Sequence, residues 1–170
     1  MEEYKCKIAT KEELIKKHDY EIAKHPNDQK WEEFKKISLN NFNTRVTYIG
    51  LLNDDIITEA TAIISNDDLD MQNKENLIGK DIAYLTGFRT TKEYEGKGYF
   101  SKLYKFMEND LKQRGFKKLT LGVEPSEVRN IQIYFNWGYT NYIKSDYEKY
   151  PEVEEKEPEK ILVNYYSKKI

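Results

Sequence analysis

The stretch Glu93-Tyr94-Glu95-Gly96-Lys97-Gly98-Tyr99-Phe100 holds the spacing in this chain best suited to chemistry. Its two glycines stand between an apolar run, Ile82 to Arg89, and a long amphipathic pattern that starts near Tyr99. A glycine turn at such a junction lets backbone approach a ligand closely. It also leaves the first N–H groups of the helix without intrahelical partners, with the positive end of the dipole behind them. That combination suits a phosphate group. The same two glycines also serve as a plain helix-entry turn, so the surrounding elements must decide. Metal chemistry has less to build on: His18 and His25 have no cysteine or carboxylate cluster at ligand spacing, and both read as structural or exposed.

The elements around the turn are legible from periodicity. Tyr4 to Ala9 reads as a short strand, and Thr10-Lys11-Glu12-Glu13 is a capping box. It opens a helix with Leu14, Ile15, His18 and Ile22 on one stripe, broken at His25-Pro26-Asn27-Asp28. A second helix carries Trp31, Phe34, Ile37 and Ser38 along one side. Arg45 to Leu52 and Ile56 to Ser65 form a hairpin across Asn53-Asp54-Asp55, and the polar segment Asn66 to Lys80 reads as a loose loop. Asp81 to Arg89 is nearly continuous in apolar character, which predicts a strand central in its sheet. The helix after Gly98 shows Phe100, Leu103, Tyr104, Met107 and Leu111 on one face and stops at Gly115. Lys118 to Glu124 is the next strand. A short helix from Pro125-Ser126 carries Ile131, Tyr134 and Phe135 and stops at Gly138. Tyr139 to Tyr150 and Ile161 to Ser167 are two final strands, separated by the acidic, proline-bearing segment Pro151 to Lys160. The order β-α-α-β-β-β-α-β-α-β-β predicts an α/β (α+β) fold: a mixed, mostly antiparallel sheet of six to seven strands flanked by about four helices.

Bulk properties narrow the class. The 170 residues suit one domain spanning the whole chain, 1–170, with no internal repeats and no linker. Hydrophobic residues at 38% and charged residues at 34% describe a folded, soluble protein. A net charge of −2 and the absence of a basic aromatic patch argue against nucleic acid as a partner. Cys6 is the single cysteine, so no internal disulfide forms; it reads as a small buried residue on the first strand. No apolar signal segment or membrane-length run is present, which predicts a cytoplasmic enzyme or binding module without a membrane partner.

From Ile82 to Tyr139, about a third of the chain, the sequence resembles the GCN5-related N-acetyltransferase (GNAT) superfamily. The matching text is YEGKGYFSKLYKFMENDLKQRGFKKLTLGVEPSEVRNIQIYFNWGY. The family signature is Gln/Arg-x-x-Gly-x-Gly/Ala at a strand-to-helix turn whose amides hold the pyrophosphate of acetyl-coenzyme A. Read literally, Glu93 to Gly98 fits the two glycines with Glu at the Gln/Arg position. Read by helix phase, Glu95 to Phe100 matches better, since Leu103 and Tyr104 then fall on the family's paired apolar positions. In that register Glu95 replaces Gln or Arg, Phe100 replaces a small residue, and Lys97 offers compensating charge.

The resemblance implies a cofactor site made of Phe88, Arg89 and Thr90, of Glu95, Gly96, Lys97, Gly98, Tyr99, Phe100 and Ser101, and of Asn130. Glu127 stands where the family often has Asn near the pantetheine. Gly87 implies a strand bulge that turns a backbone N–H toward the thioester carbonyl; it equally fits a simple packing role. Tyr134 takes the place of the family's general acid, which protonates the departing thiolate; on residues alone it also fits a core position in its stripe. The implied reaction moves an acetyl group from acetyl-coenzyme A to a primary amine, on a small molecule or a protein, without a metal. Glu59 and Glu124 are the candidate bases, with a water chain as the alternative. The acceptor would be set by the N-terminal helices and the acidic loop before the last strand. A second copy of the chain is admitted as a partner. The rival class is a module of the same fold that holds coenzyme A or its esters without turnover.

Overall fold

The computed structural model describes residues 3–71, 74–149 and 160–170. Seven strands and four α-helices follow in the predicted order: β1 (Tyr4–Ile8), α1 (Lys11–Lys24), α2 (Lys30–Asn40), β2 (Arg45–Leu52), β3 (Asp55–Ile63), β4 (Ile82–Thr90), α3 (Tyr99–Gln113), β5 (Lys118–Val123), α4 (Val128–Asn136), β6 (Asn141–Lys149) and β7 (Lys160–Lys169). They form one sheet in the order β1-β2-β3-β4-β5-β7-β6. Every neighbouring pair is antiparallel except β4 and β5. A parallel pair needs a crossover long enough to return to the same sheet edge, and the α3 connection supplies it. The near-continuous apolar run of β4 is explained by its place: it is the fourth of seven strands, covered on both faces.

Strand alternation divides the core in two. Tyr48 and Ile49 are both fully buried, yet as neighbours on β2 they point to opposite faces. Tyr48 joins Ala60, Ala62, Ala83, Leu85, Leu119 and Leu121 beneath the α3 stripe of Leu103, Tyr104, Met107 and Leu111. Ile49 joins Ala9 and Leu14 under α1 on the other side. The capping box forms as read: the Thr10 hydroxyl accepts from the Glu13 amide, and the Glu13 carboxylate accepts from the Thr10 amide. The β2–β3 turn is tighter than expected. Asn53 and Asp54 alone make it, both left-handed, the conformation whose twist suits a two-residue hairpin.

The described part of the segment read as a loose loop is instead docked on the face opposite α3. Arg45 donates from Nε and Nη2 to the two oxygens of fully buried Asp68, at 2.7 Å each, and Thr44 donates to the same carboxylate. Met71 and Leu77 are buried with Tyr84 and Tyr165. Cys6 is half-buried rather than buried, and Tyr139 belongs to the core before β6 begins. The acidic stretch 151–159 lies outside the described residues.

Candidate functional site

β4 and β5 pair only over four residues, from Ile82–Lys118 to Leu85–Leu121. Beyond that point each strand follows its other neighbour, β4 staying with β3 as far as Thr90 and β5 with β7 as far as Val123. The two central strands therefore part at their C-terminal ends. The parting is reinforced by a bulge in β4: Thr86 and Arg89 pair with Thr61 and Glu59, so Gly87 and Phe88 together oppose the single residue Ala60. Gly87 has φ +65, while a Cβ there would meet only ordinary contacts with Thr61. Backbone conformation, rather than crowding, demands glycine at this position.

The chain leaves β4 through a short 3-10 turn, Lys92–Tyr94, and enters α3 at Gly96-Lys97-Gly98. Both glycines are left-handed, with φ of 72 and 82, and no atom lies within 4 Å of a Cβ built on either. No side chain caps α3, and the first amide to bond into the helix is that of Lys102, onto the carbonyl of Gly98. The amides before it are open to a ligand, as an anion site requires. Tyr4 fixes this end of the helix from β1, its hydroxyl donating to the carbonyl of Tyr99 at 3.0 Å and sharing a 2.6 Å bond with Thr58.

A cleft of about 450 Å³ runs from the parted strands to this turn, with α4 as its far wall. It collects Phe88, Arg89 and Thr90 from β4, Glu95, Gly96, Gly98, Tyr99, Phe100 and Ser101 from the turn and helix start, and Asn130 and Tyr134 from α4. Three anticipated residues are not among its lining. Lys97 swings out over the Tyr94 ring, 5.5 Å from its centroid, and Arg129 is the cation that lines the cleft with Arg89. Glu59 is held by Lys17 at 2.8 Å on the α1 side of the sheet. Glu124 directly follows β5, and its amide donates to Glu127. Glu127 also accepts from the Asn130 side chain at 3.2 Å, so these two residues brace the start of α4 together.

Tyr94, Arg129, Ile133, Asn136 and Trp137 line the cleft without having been anticipated. The signal was present in α4: residues 130, 133, 134 and 137 repeat at helical spacing, and this is the face turned to the cleft. Phe135, placed on the inner stripe by sequence, packs on Tyr166 and stays partly exposed. Phe100 is half-buried in the cleft wall, stacked near Trp137 at 5.9 Å and tilted against Phe88 at 5.1 Å. Trp137 in turn stacks on Tyr104 at 4.1 Å. Tyr104 bonds Glu108 and Tyr139, at 2.6 and 2.8 Å, and Lys168 pairs with Glu108 at 2.7 Å. This part-buried network ties α4 and its wall to α3 and β7.

Tyr134 stands in the wall with its ring edge-on to Phe88 at 5.9 Å. Burial, aided by the negative charge of Glu127, pushes its phenol up to about 12, so it is protonated at neutral pH. Among the described residues its hydroxyl has no hydrogen-bond partner. A protonated, unpaired donor in a cleft is available to whatever enters it.

The sequence model of the Acetyltransferase (GNAT) family matches residues 12–139, three quarters of the chain. This chain belongs to the GNAT acetyltransferase family. A search of curated proteins by sequence returns no match. Solved structures share the fold at low identity. A ribosomal-protein-S18-alanine N-acetyltransferase from Escherichia coli superposes with TM-score 0.67 at 18% identity, covering 99% of this chain and 94% of that one. An IAA acetyltransferase from Bacillus cereus gives 0.65 at 14%, covering 99% and 100%. An acetyltransferase from Salmonella typhimurium, solved with acetyl-CoA, gives 0.65 at 11%, covering 98% and 94%. The seven-stranded sheet with its parted strands is the GNAT fold. The family's co-substrate is acetyl-coenzyme A, and the cleft offers open amides at a glycine turn and an aromatic wall, features that suit a pyrophosphate and its attached arm. Among the described residues no group of three or more His, Cys, Asp or Glu is placed to hold a metal, and no helix is long and apolar enough to cross a membrane.

Proposed function

We propose that this acetyltransferase moves the acetyl group of acetyl-coenzyme A directly onto a primary amine, with Tyr134 as the general acid. When bound, the co-substrate supplies an acyl thioester whose carbonyl accepts the amine. The amides of the glycine turn, from residue 96 to 101, hold the pyrophosphate, and Phe88 and Thr90 present backbone to the pantetheine arm where β4 has lost β5. The bulge at Gly87-Phe88 is suited to aim an amide at the thioester oxygen, where a fixed donor stabilises developing charge. Tyr134 gives its phenolic proton to the departing sulfur. The single observation that carries this assignment is the Tyr134 hydroxyl: protonated, without a partner among the described residues, and in the wall between the parted strands and the glycine turn.

The amine must lose a proton to attack. Glu59 is already paired with Lys17, whereas Glu124 has no ion-pair partner among the described residues and stands at the β5 side of the opening. Glu124 is the base in this proposal, directly or through water. Tyr134→Phe keeps the ring and its packing and removes only the hydroxyl. With an amine panel and thiol-release detection, turnover is expected to fall by about 10²–10⁴ while coenzyme A affinity holds. Undiminished turnover in Tyr134→Phe removes Tyr134 from the mechanism. Tight coenzyme A binding with no thiol release from any amine favours the non-catalytic module, for which Glu95, Phe100 and Glu127 are the motivating departures.

A further inference from the structure

Arg89 lies immediately after the bulge, and its side chain leaves β4 on the opposite face from Phe88. Phe88 packs with Phe100 and Tyr134. Arg89 reaches α1 and α2 instead: Nη2 donates to Glu21 Oε1 at 2.8 Å, and the guanidinium sits 5.2 Å from the centroid of the Trp31 ring. Trp31 is itself stacked by His25 at 4.9 Å. Glu21 is only 10% exposed, and its second oxygen is buried without a hydrogen bond, 3.6 Å from His25 Nε2. The purpose of that buried carboxylate is hard to find in stability, since taking a charge out of water costs several kcal/mol that pairing barely returns. What it does is hold a guanidinium in one orientation. Arg89 remains 39% exposed and lines the cleft, and its Nε and Nη1 donors have no partner among the described residues.

The charges on this face sort by spare capacity. Lys17 and Glu59 satisfy each other, and the free oxygen of Glu21 is sealed from solvent. The group with donors to spare on this face is Arg89. A fixed guanidinium fork matches a carboxylate with two parallel N–H···O bonds, and a Lys in its place would not. We propose that the Arg89 side chain, oriented by Glu21 and Trp31, recognises a carboxylate on the acceptor, so that the substrate class is an amine bearing a nearby carboxylate, as in an amino acid. This rests on the amine acetylation proposed above and assigns the specificity of that same site.

The experiment titrates matched acceptors into protein saturated with coenzyme A: a set of amino acids, their carboxamides and their decarboxylated amines, by calorimetry. The carboxylate member of a set is expected to bind roughly 10–100-fold more tightly than its twins, the worth of one or two charge-assisted hydrogen bonds. In Arg89→Gln that preference should vanish and in Arg89→Lys it should shrink, with the affinity for coenzyme A itself unchanged. Should Arg89→Gln unfold by stranding Glu21, the Glu21→Gln/Arg89→Gln double variant gives the same reading without a buried orphan charge. Twins that bind equally to wild type, a preference that survives in Arg89→Gln, or a loss of coenzyme A affinity that matches the loss for the acceptor each overturn the assignment; the last would make Arg89 a cofactor-phosphate residue. Thiol release is followed in parallel. Turnover of amides and carboxylates alike overturns this inference and leaves amine acetylation standing. No turnover of any acceptor overturns the acetylation proposal, while the binding comparison still decides the role of Arg89.

Discussion

Gly98 and Gly115 stand at the two ends of α3 and offer a controlled test of the backbone site. Both are left-handed, with φ of 82 and 94, and a Cβ at either meets no atom within 4 Å. A valine at each position therefore faces the same problem, a β-branched residue in a conformation it avoids, with open space around its Cβ. Each substitution should cost about 1–3 kcal/mol. For a chain of this size that lowers the melting temperature by roughly 2–4 °C per kcal/mol. The two variants diverge only in the presence of ligand. Coenzyme A at about a hundred times its dissociation constant stabilises the native state by roughly 2.7 kcal/mol. Gly115→Val should keep that increment, because Gly115 ends the helix far along the chain from the open amides. Gly98→Val should re-aim them; a hundredfold weaker site leaves only about 0.4 kcal/mol at the same concentration. The assay is a thermal melt of wild type and both variants, with and without coenzyme A. An equal ligand shift in Gly98→Val and wild type, or a loss of the shift in Gly115→Val as well, would refute the role given to the turn.

Other consequences follow from the packing. His18 is 5% exposed with both ring nitrogens unpartnered, and burial, with Lys17 and Lys35 nearby, lowers it to about 4. Its folded value lies below the ordinary 6.5, so the native state takes up its proton later than the unfolded chain. Stability is full above about pH 6.5 and declines by about 3 kcal/mol on the way to pH 4; urea melts of His18→Leu should show that part of the acid limb flattened, and an unchanged limb counts against it. Phe100 is half-buried against Phe88 and Trp137, so Phe100→Ala should cost about 2 kcal/mol, below the 3–5 of a fully buried aromatic, read by chemical denaturation. A Cβ at Gly50 would lie 2.0 Å from the Tyr4 hydroxyl and 2.2 Å from Thr58 Oγ1. Gly50→Ala should therefore destabilise by about 1–3 kcal/mol and loosen the Tyr4 tie to the start of α3, weakening coenzyme A binding in the same melts.

Order, type and approximate bounds of the elements were readable because each rests on local pattern. The capping box, the apolar run of β4 and the stripe of α3 are spelled out within a few residues. The glycine turn was readable for the same reason: a left-handed backbone leaves glycine as its mark, at Gly87, Gly96 and Gly98 alike. What escaped was long-range. The 66–80 segment looked loose because the partner of Asp68 is Arg45, 23 residues away. The cleft face of α4 was misjudged by part of a turn because Phe135 finds its cover in Tyr166, on a strand not yet reached. Lys97 was assigned a charge role from adjacency, but the Tyr94 ring draws it off and Arg129 lines the cleft instead.

The two halves of the site thus differ in what fixes them. In the proposed site, recognition of the co-substrate rests chiefly on amides and a glycine turn, so Glu95 and Phe100 can depart from the family pattern without removing a backbone donor. Only the φ of the glycines must persist for that site to form. Recognition of the acceptor has no such backbone device. On the α1–α2 face it falls to Glu21, Trp31 and Arg89, three side chains from three elements whose meeting no local pattern announces. A change at Glu21 would leave the turn, the parted strands and Tyr134 in place while releasing the guanidinium. Substrate choice in this protein can accordingly drift by single substitutions on the helical face, while the chemistry behind it stays fixed.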